Sequence, residues 1–509
     1  MFSSLYTVSL TGLDGNIVEV QTDISNGIVA FEIIGLPDTT VREARDRAKA
    51  SIKNCGCDFP RKRITMNLAP ASLKKEGSSF DLAITLAILH ASGQLNVSDP
   101  DHTVFLGELA LDGSVKPVRG VLPMVITAYE KGFKRCFVPA ENADEAAVID
   151  GIEIYPLTHL SDAINYFDCI KQIEPHKTDI DALRAARLTE LVDMRDVKGQ
   201  EQAKRAIEIA ASGAHNVLMS GPAGTGKSML AKRVGTILPD MTFDEMLEVT
   251  KLHSIAGVLP QGTPLVTERP FRSPHHTVSA NALSGGGAMP RPGELSLAHC
   301  GVLFLDELPE FKRDALEVMR QPLEDGVITI SRVNATLSYP CNIMLVAAMN
   351  PCPCGNFGNP KRACTCSPNQ IQRYRSKISG PLLDRIDIQI EIPHVSYDDL
   401  SKLADGDSSS VIRERVNKAR RQQLVRYEND GITSNAQLTA PMLDKYCRLG
   451  EAESNLLRTA FDRLGLSARA HSKILKVART IADLDGSDDI KTPHIAEAIQ
   501  YRNLDRKGF

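Results

Sequence analysis

The segment Gly221-Pro222-Ala223-Gly224-Thr225-Gly226-Lys227-Ser228 constrains this chain more than any other. It satisfies G-x-x-x-x-G-K-[ST], a pattern that works only between a strand and a helix. The flanks agree: Val217, Leu218 and Met219 precede it, and a helix-like run from Ser228 to Leu238 follows. Glycines let the backbone wrap around phosphates with its N–H groups turned inward, and a helix N-terminus adds a favourable dipole. The pattern predicts a nucleoside triphosphate site in which Lys227 reaches the β- and γ-phosphates and the Ser228 hydroxyl ligates Mg2+.

With 509 residues the chain is too long for one core, and two to four domains are expected. The net charge of −4 supplies no global basic field, so any nucleic-acid surface must be local. Residues 1–5 lack the basic and apolar regions of a secretion signal, and no run reaches the ~18 apolar residues of a membrane span. The 11 cysteines, an odd number, then read as reduced thiols, and a cytoplasmic location without membrane partners is expected.

Three blocks emerge. Residues 1–168 alternate strand-like and helical runs: a strand over Val29–Ile34, a helix over Thr39–Ile52 capped by Asp38, a buried helix over Phe80–Ala91, and a hairpin over Val104–Val118 with its turn at Asp112-Gly113. A polar linker over 169–189 leads to a nucleotide block over 190–403. A second linker over 404–411 precedes a helical block over 412–509.

Within the nucleotide block, Gly301-Val-Leu-Phe-Leu-Asp306-Glu307 describes a buried parallel strand ending in two carboxylates. Asp306 is placed to hold the Mg2+ shell and Glu307 to act as general base on the attacking water. Ile343–Met349 reads as another buried strand, ending in Asn350, whose carboxamide can orient that water. The order of phosphate loop, Asp-Glu strand and Asn strand is that of an AAA+ ATPase, and Val197-Lys-Gly-Gln200 resembles the adenine-side motif of that superfamily. Pro381-Leu-Leu-Asp-Arg385-Ile-Asp387 resembles an arginine-finger segment, with Arg385 reaching a neighbouring subunit's γ-phosphate. Ser467-Ala-Arg469-Ala470 resembles the second sensor, making Arg469 a further phosphate contact. A finger in trans requires a ring.

Pro270-Phe-Arg-Ser-Pro-His-His-Thr277, Pro290–His299, Asn350-Pro-Cys-Pro-Cys-Gly355 and Ser379–Asp387 resemble the ComM/YifB family of magnesium-chelatase-like AAA+ ATPases, and the resemblance spans essentially the whole chain. It implies a multidomain α/β protein: a Lon-protease-like α+β domain, a P-loop α/β core with magnesium-chelatase-type insertions, and a C-terminal helical lid. It also implies ATP and Mg2+, a homohexameric ring, and DNA branch migration during natural transformation.

The Lon resemblance places Ser79 at the nucleophile and Leu122 where the catalytic lysine belongs. A leucine cannot take the serine proton, so the domain is expected to be a non-proteolytic scaffold or DNA-facing platform. Cys352-Pro-Cys354 and Cys364-Thr-Cys366 offer four thiolates suited to tetrahedral Zn2+; free thiols or a redox pair are the alternatives. The remaining cysteines read as packing residues. His275 and His276 have no Asp, Glu or Cys at ligand spacing and are expected to make structural hydrogen bonds.

Two insertions are candidate DNA-facing elements: Leu283–Met289, and a hairpin over Gly326–Ser338 in which Arg332 can meet a phosphate. Lys361, Arg362, Arg373, Arg375 and Lys377 are further basic candidates. The run Arg413, Arg415, Lys418, Arg420, Arg421 and Arg426 fits a DNA surface and a solvated helix face equally well. The reading that best joins these features is an ATP-driven hexameric DNA motor. The alternatives are a chelatase-type ATPase that remodels a protein or supports metal insertion, an ATP-dependent protease, which Leu122 opposes, and a non-catalytic ATP-binding assembly protein, which the Asp306-Glu307 pair opposes.

Overall fold

The computed structural model describes residues 1–185, 192–260, 262–287, 290–332, 335–359, 362–394 and 406–502. The chain forms two compact units, one comprising 1–187 with 243–267 and the other 188–242 with 268–509.

The first unit is built on a seven-stranded mixed sheet with the strand order Ala30–Ile34, Arg63–Ala69, Asp14–Ser25, Phe2–Thr11, Thr103–Phe105, Arg135–Pro139, Glu153–Leu157. The helix over Thr39–Asn54 starts as expected at Asp38, whose carboxylate accepts from Val41 N at 2.7 Å. The helix over Asp81–Ala91 is buried on nearly every side. Its one charged side chain, Asp81, is fully buried and takes a two-pronged ion pair from Arg47 at 2.6 and 2.9 Å. The expected hairpin over Val104–Val118 is shorter: Glu108–Leu109 pairs with Val115–Lys116, because Thr103–Phe105 is drawn into the large sheet. Ser79 and Leu122 are both buried, Lys75 donates to the Pro70 carbonyl, and Lys116 is exposed.

Residues 243–267 depart from the continuous nucleotide block drawn from sequence. The helix over Phe243–Ala256 belongs to the first unit because Ser254 is locked there. Its hydroxyl accepts from Gly120 N at 3.0 Å and donates to the buried Glu145, which also accepts from Leu122 N at 3.1 Å.

The second unit contains a five-stranded, all-parallel sheet ordered Phe271–Arg272, Val302–Leu305, Met344–Met349, Val217–Ser220, Ile388–Glu391. The three central strands are fully buried, so they read as unbroken apolar runs. Helices over Glu201–Gly213 and Lys227–Ile237 flank the sheet. C-terminal helices over Ser409–Arg426, Ala440–Tyr446, Glu451–Leu464, Ala468–Leu484 and Thr492–Gln500 extend the same hydrophobic core, which runs from Met194 to Tyr501. A buried polar cluster joins sheet and helices. Asp387 faces Lys473 Nζ at 3.1 Å and His215 Nδ1 at 3.5 Å, and His215 Nε2 meets Thr480 Oγ1 at 2.7 Å. No helix among the described residues is long and apolar enough to cross a membrane.

Candidate nucleotide site

The loop Gly221–Gly226 joins the strand Val217–Ser220 to the helix that starts at Lys227. Gly226 caps that helix at φ 86°, a backbone state that a side chain disfavours. Lys227 is buried and folded over the loop. Its ammonium donates to Gly221 O at 2.7 Å, Pro222 O at 2.9 Å and Asn350 Oδ1 at 3.2 Å. Burial lowers the Lys227 pKa, opposed by the charges of Asp306 and Glu307. Ser228 Oγ donates to Asp306 Oδ2 at 2.5 Å.

Pairing in register sets these partners side by side. Leu305, ahead of Asp306, lies opposite Ala347, and Ser220, ahead of the loop, lies opposite Met349, ahead of Asn350. Parallel strands therefore deliver the loop, the carboxylates and the carboxamide to one sheet edge. Gln200 joins them: its Nε2 donates to Thr225 O at 2.5 Å, while its buried Oε1 has no partner. A buried cation satisfied by loop carbonyls, a hydroxyl–carboxylate pair and an unused amide oxygen together form a donor set that fits a magnesium-bound nucleoside triphosphate.

Glu307 sits at φ 53°, with its carboxylate 3.5 Å from His276 Nδ1. His276 thus lies beside the candidate general base. Linear spacing hides this contact, because His276 follows the edge strand Phe271–Arg272, which is paired with the strand that carries Glu307. His275 does make a local bond, to Thr277 Oγ1 at 2.9 Å.

Arg385 and Arg469 lie elsewhere. The Arg385 carbonyl accepts from Asn216 Nδ2 at 2.8 Å, at the N-terminal end of the loop strand. Four strand residues, roughly 13 Å at about 3.3 Å each, separate that point from the loop. Arg385 pairs with Glu324, and Arg469 pairs with Asp384. Burial lowers the Arg385 pKa, and nearby Arg469 and Arg320 add to the effect, so three guanidinium groups gather at this end of the sheet.

The four sulfurs of Cys352, Cys354, Cys364 and Cys366 lie within 4.8 Å of one another. Backbone amides of Asn356 and Thr365 favour the Cys354 thiolate, while at Cys364 and Cys366 a backbone amide is outweighed by desolvation and the neighbouring sulfurs, which push those thiols up.

The basic run divides. Arg413 pairs with Asp240, Arg415 with Glu208, Arg426 with Asp483, and the buried Arg420 donates to Ser212 O and Ala211 O. All four are held by partners in the same unit, Arg415 while still partly exposed, whereas Lys418 and Arg421 stay exposed. Arg375 donates to Pro351 O and Lys377 pairs with Glu310, while Arg362 and Arg373 are exposed. Strands Val327–Arg332 and Ala335–Pro340 form the expected hairpin. The Arg332 side chain, Lys361, and Ala288 and Met289 of the first insertion lie outside the described residues.

Three family models match: "Magnesium chelatase, subunit ChlI" over 193–400, "Subunit ChlI of Mg-chelatase" over 20–142, and "Magnesium chelatase, subunit ChlI C-terminal" over 406–502. The chain is 43% identical to the uncharacterized protein YifB of Escherichia coli over 506 residues, 99% of this chain and 97% of that one. It is 42% identical to the competence protein ComM of Haemophilus influenzae over 506 residues, with the same shares covered. A more distant relative is the magnesium-chelatase 67 kDa subunit of Chlorobaculum parvum, 28% identical over 165 residues, 32% of this chain and 24% of that one. Near-complete coverage at this identity, with three magnesium-chelatase models matched in chain order, makes this chain a member of the ComM/YifB family of magnesium-chelatase-like proteins.

Proposed function

We propose that this protein is an ATP-hydrolysing AAA+ motor that works as a homohexamer on branched or single-stranded DNA, in recombination of the kind that competence requires. The observation that carries the reading is the split between two groups. Lys227, Ser228, Asp306, Glu307 and Asn350 share one sheet edge, while Arg385 and Arg469 lie at the opposite end. Such a site is completed by a neighbouring copy.

In this reading Lys227 and the loop amides hold the β- and γ-phosphates, and Ser228 and Asp306 hold magnesium, which when bound supplies charge neutralisation. Glu307 takes the proton of the attacking water and Asn350 orients it. Arg385 and Arg469 of the next protomer leave Glu324 and Asp384 to meet developing phosphate charge. The hairpin over Val327–Pro340, with Arg332 at its end, together with Arg362, Arg373, Lys418 and Arg421, is the candidate DNA surface. The first unit is a non-proteolytic platform, since the position of the Lon lysine is Leu122. Cys352, Cys354, Cys364 and Cys366 hold Zn2+. The name of the relative ComM supports the link to DNA uptake.

ATP turnover with and without forked DNA tests this, with Glu307→Gln as the control. Stimulation of turnover and ATP-dependent separation of the fork are expected. Turnover indifferent to DNA favours instead a chelatase-type ATPase acting on a protein, a reading that the three family models also accommodate.

A further inference from the structure

We propose that the tetracysteine knuckle braces the phosphate loop, so that its zinc occupancy sets the competence of the ATPase site; this rests on the zinc reading above. The sulfur geometry suits the metal. Cys352 lies 3.4 Å from Cys354 and 3.6 Å from Cys364, and Cys354 lies 3.6 Å from Cys364. Tetrahedral zinc with Zn–S of about 2.3 Å needs sulfurs about 3.8 Å apart. Outer-sphere donors are also in place: Phe357 N reaches Cys352 Sγ at 3.3 Å, and Cys366 N reaches Cys364 Sγ at 3.4 Å. Amide–sulfur bonds of this kind orient and stabilise thiolate ligands.

The knuckle is continuous with the site. Cys352 follows Asn350 by two residues and is fully buried. The turn after it closes through Gly355 N to Cys352 O at 3.0 Å, with Gly355 at φ 74°. A methyl group on Gly355 would lie 3.5 Å from Ala223 Cβ in the phosphate loop and 4.0 Å from Asn350 Cγ. Asn350 in turn accepts from Lys227. From behind, Arg375 donates to Pro351 O at 3.3 Å and lies over the Phe357 ring at 5.6 Å. Without the metal the thiolates take up protons, and the bonds that tie Cys352 and Cys354 to Cys364 and Cys366 through one ion are gone. Metal loss therefore loosens the turn that begins two residues after Asn350, and with it the acceptor that holds the Lys227 ammonium over the phosphate loop; a misplacement of about 1 Å near reacting groups costs a large factor in rate.

The test uses the full chain. Zinc is measured on protein purified without chelator, and the chelated chain is refilled with zinc or with cobalt alone. One zinc per chain and a thiolate-to-cobalt charge-transfer band are expected. On chelation, ATP turnover should fall by about tenfold or more, and the anisotropy of a fluorescent ATP analogue should report weaker binding; zinc should restore both. Cys366→Ser removes one of the four ligands and leaves the turn at Gly355 untouched, so it should lose zinc and turnover together, and it decides the matter if the chelated chain precipitates. A zinc ratio near zero without a cobalt band overturns the metal reading itself. Zinc bound at one per chain, with turnover and nucleotide affinity unchanged after its removal or in zinc-depleted Cys366→Ser, overturns the brace while leaving the metal site standing.

Discussion

Arg469, near the start of the helix Ala468–Leu484, is ion-paired with Asp384, the residue directly before Arg385. One carboxylate thus keeps the two candidate phosphate-sensing arginines together at the sheet end away from their own loop. Arg385→Ala should lower kcat on the order of 10³-fold, the scale of a finger that neutralises transition-state charge. Nucleotide affinity, set by the loop of the same chain, should change by less than about threefold. Arg469→Ala should act in the same direction. Turnover assays paired with nucleotide anisotropy check both, and loss of binding in parallel with turnover would place these arginines in the binding site of their own chain.

His276 should restrain the candidate general base, Glu307. Its contact with Glu307 is 3.5 Å long, and the Glu307 carboxylate is 53% exposed. A pair this open is worth at most about 1 kcal/mol, so its removal can change a rate by no more than about fivefold. His276→Ala is expected to raise DNA-free ATP turnover within that bound and to shrink the proposed stimulation by DNA, if DNA acts by releasing this carboxylate. A drop beyond about tenfold would instead make His276 part of the chemistry itself.

The phosphate loop, the Asp306-Glu307 strand and the Asn350 strand were legible because each is a contiguous run whose residue types follow from one local requirement. A loop must wrap phosphate, and a buried parallel strand must be apolar until its end. What escaped depends on facing. Nothing in the spacing of Arg413, Arg415, Arg420 and Arg426 tells that these side chains turn inward to Asp240, Glu208, backbone carbonyls and Asp483, while Lys418 and Arg421 turn out. His276 meets Glu307 only through strand pairing. Ser254 joins the first unit through Glu145 and Gly120, partners more than a hundred residues away in sequence.

Acid should loosen the second unit through His215. Burial lowers the His215 pKa from 6.5, although Asp387 pulls the other way. The unfolded chain then binds a proton near pH 6.5 that the folded chain refuses, so stability is full above that pH and declines as pH falls below it. Asp387 is held well below the usual carboxylate range: burial raises its pKa, but Lys473 and His215 more than offset this. Its own contribution starts to be lost only near pH 4. Thermal unfolding at pH 7, 6 and 5 should show a decline of up to about 1.4 kcal/mol per pH unit, and His215→Gln should flatten it. An equal slope in the variant would assign the effect to other groups.

The proposed sharing of the site between protomers is tested most directly by co-assembling two inactive variants, Lys227→Ala and Arg385→Ala, in one preparation. Each alone should be inactive and mixed rings should hydrolyse ATP, because an Arg385→Ala protomer with an intact loop can receive Arg385 from a Lys227→Ala neighbour. Mixed rings no more active than the two variants measured separately would contradict it.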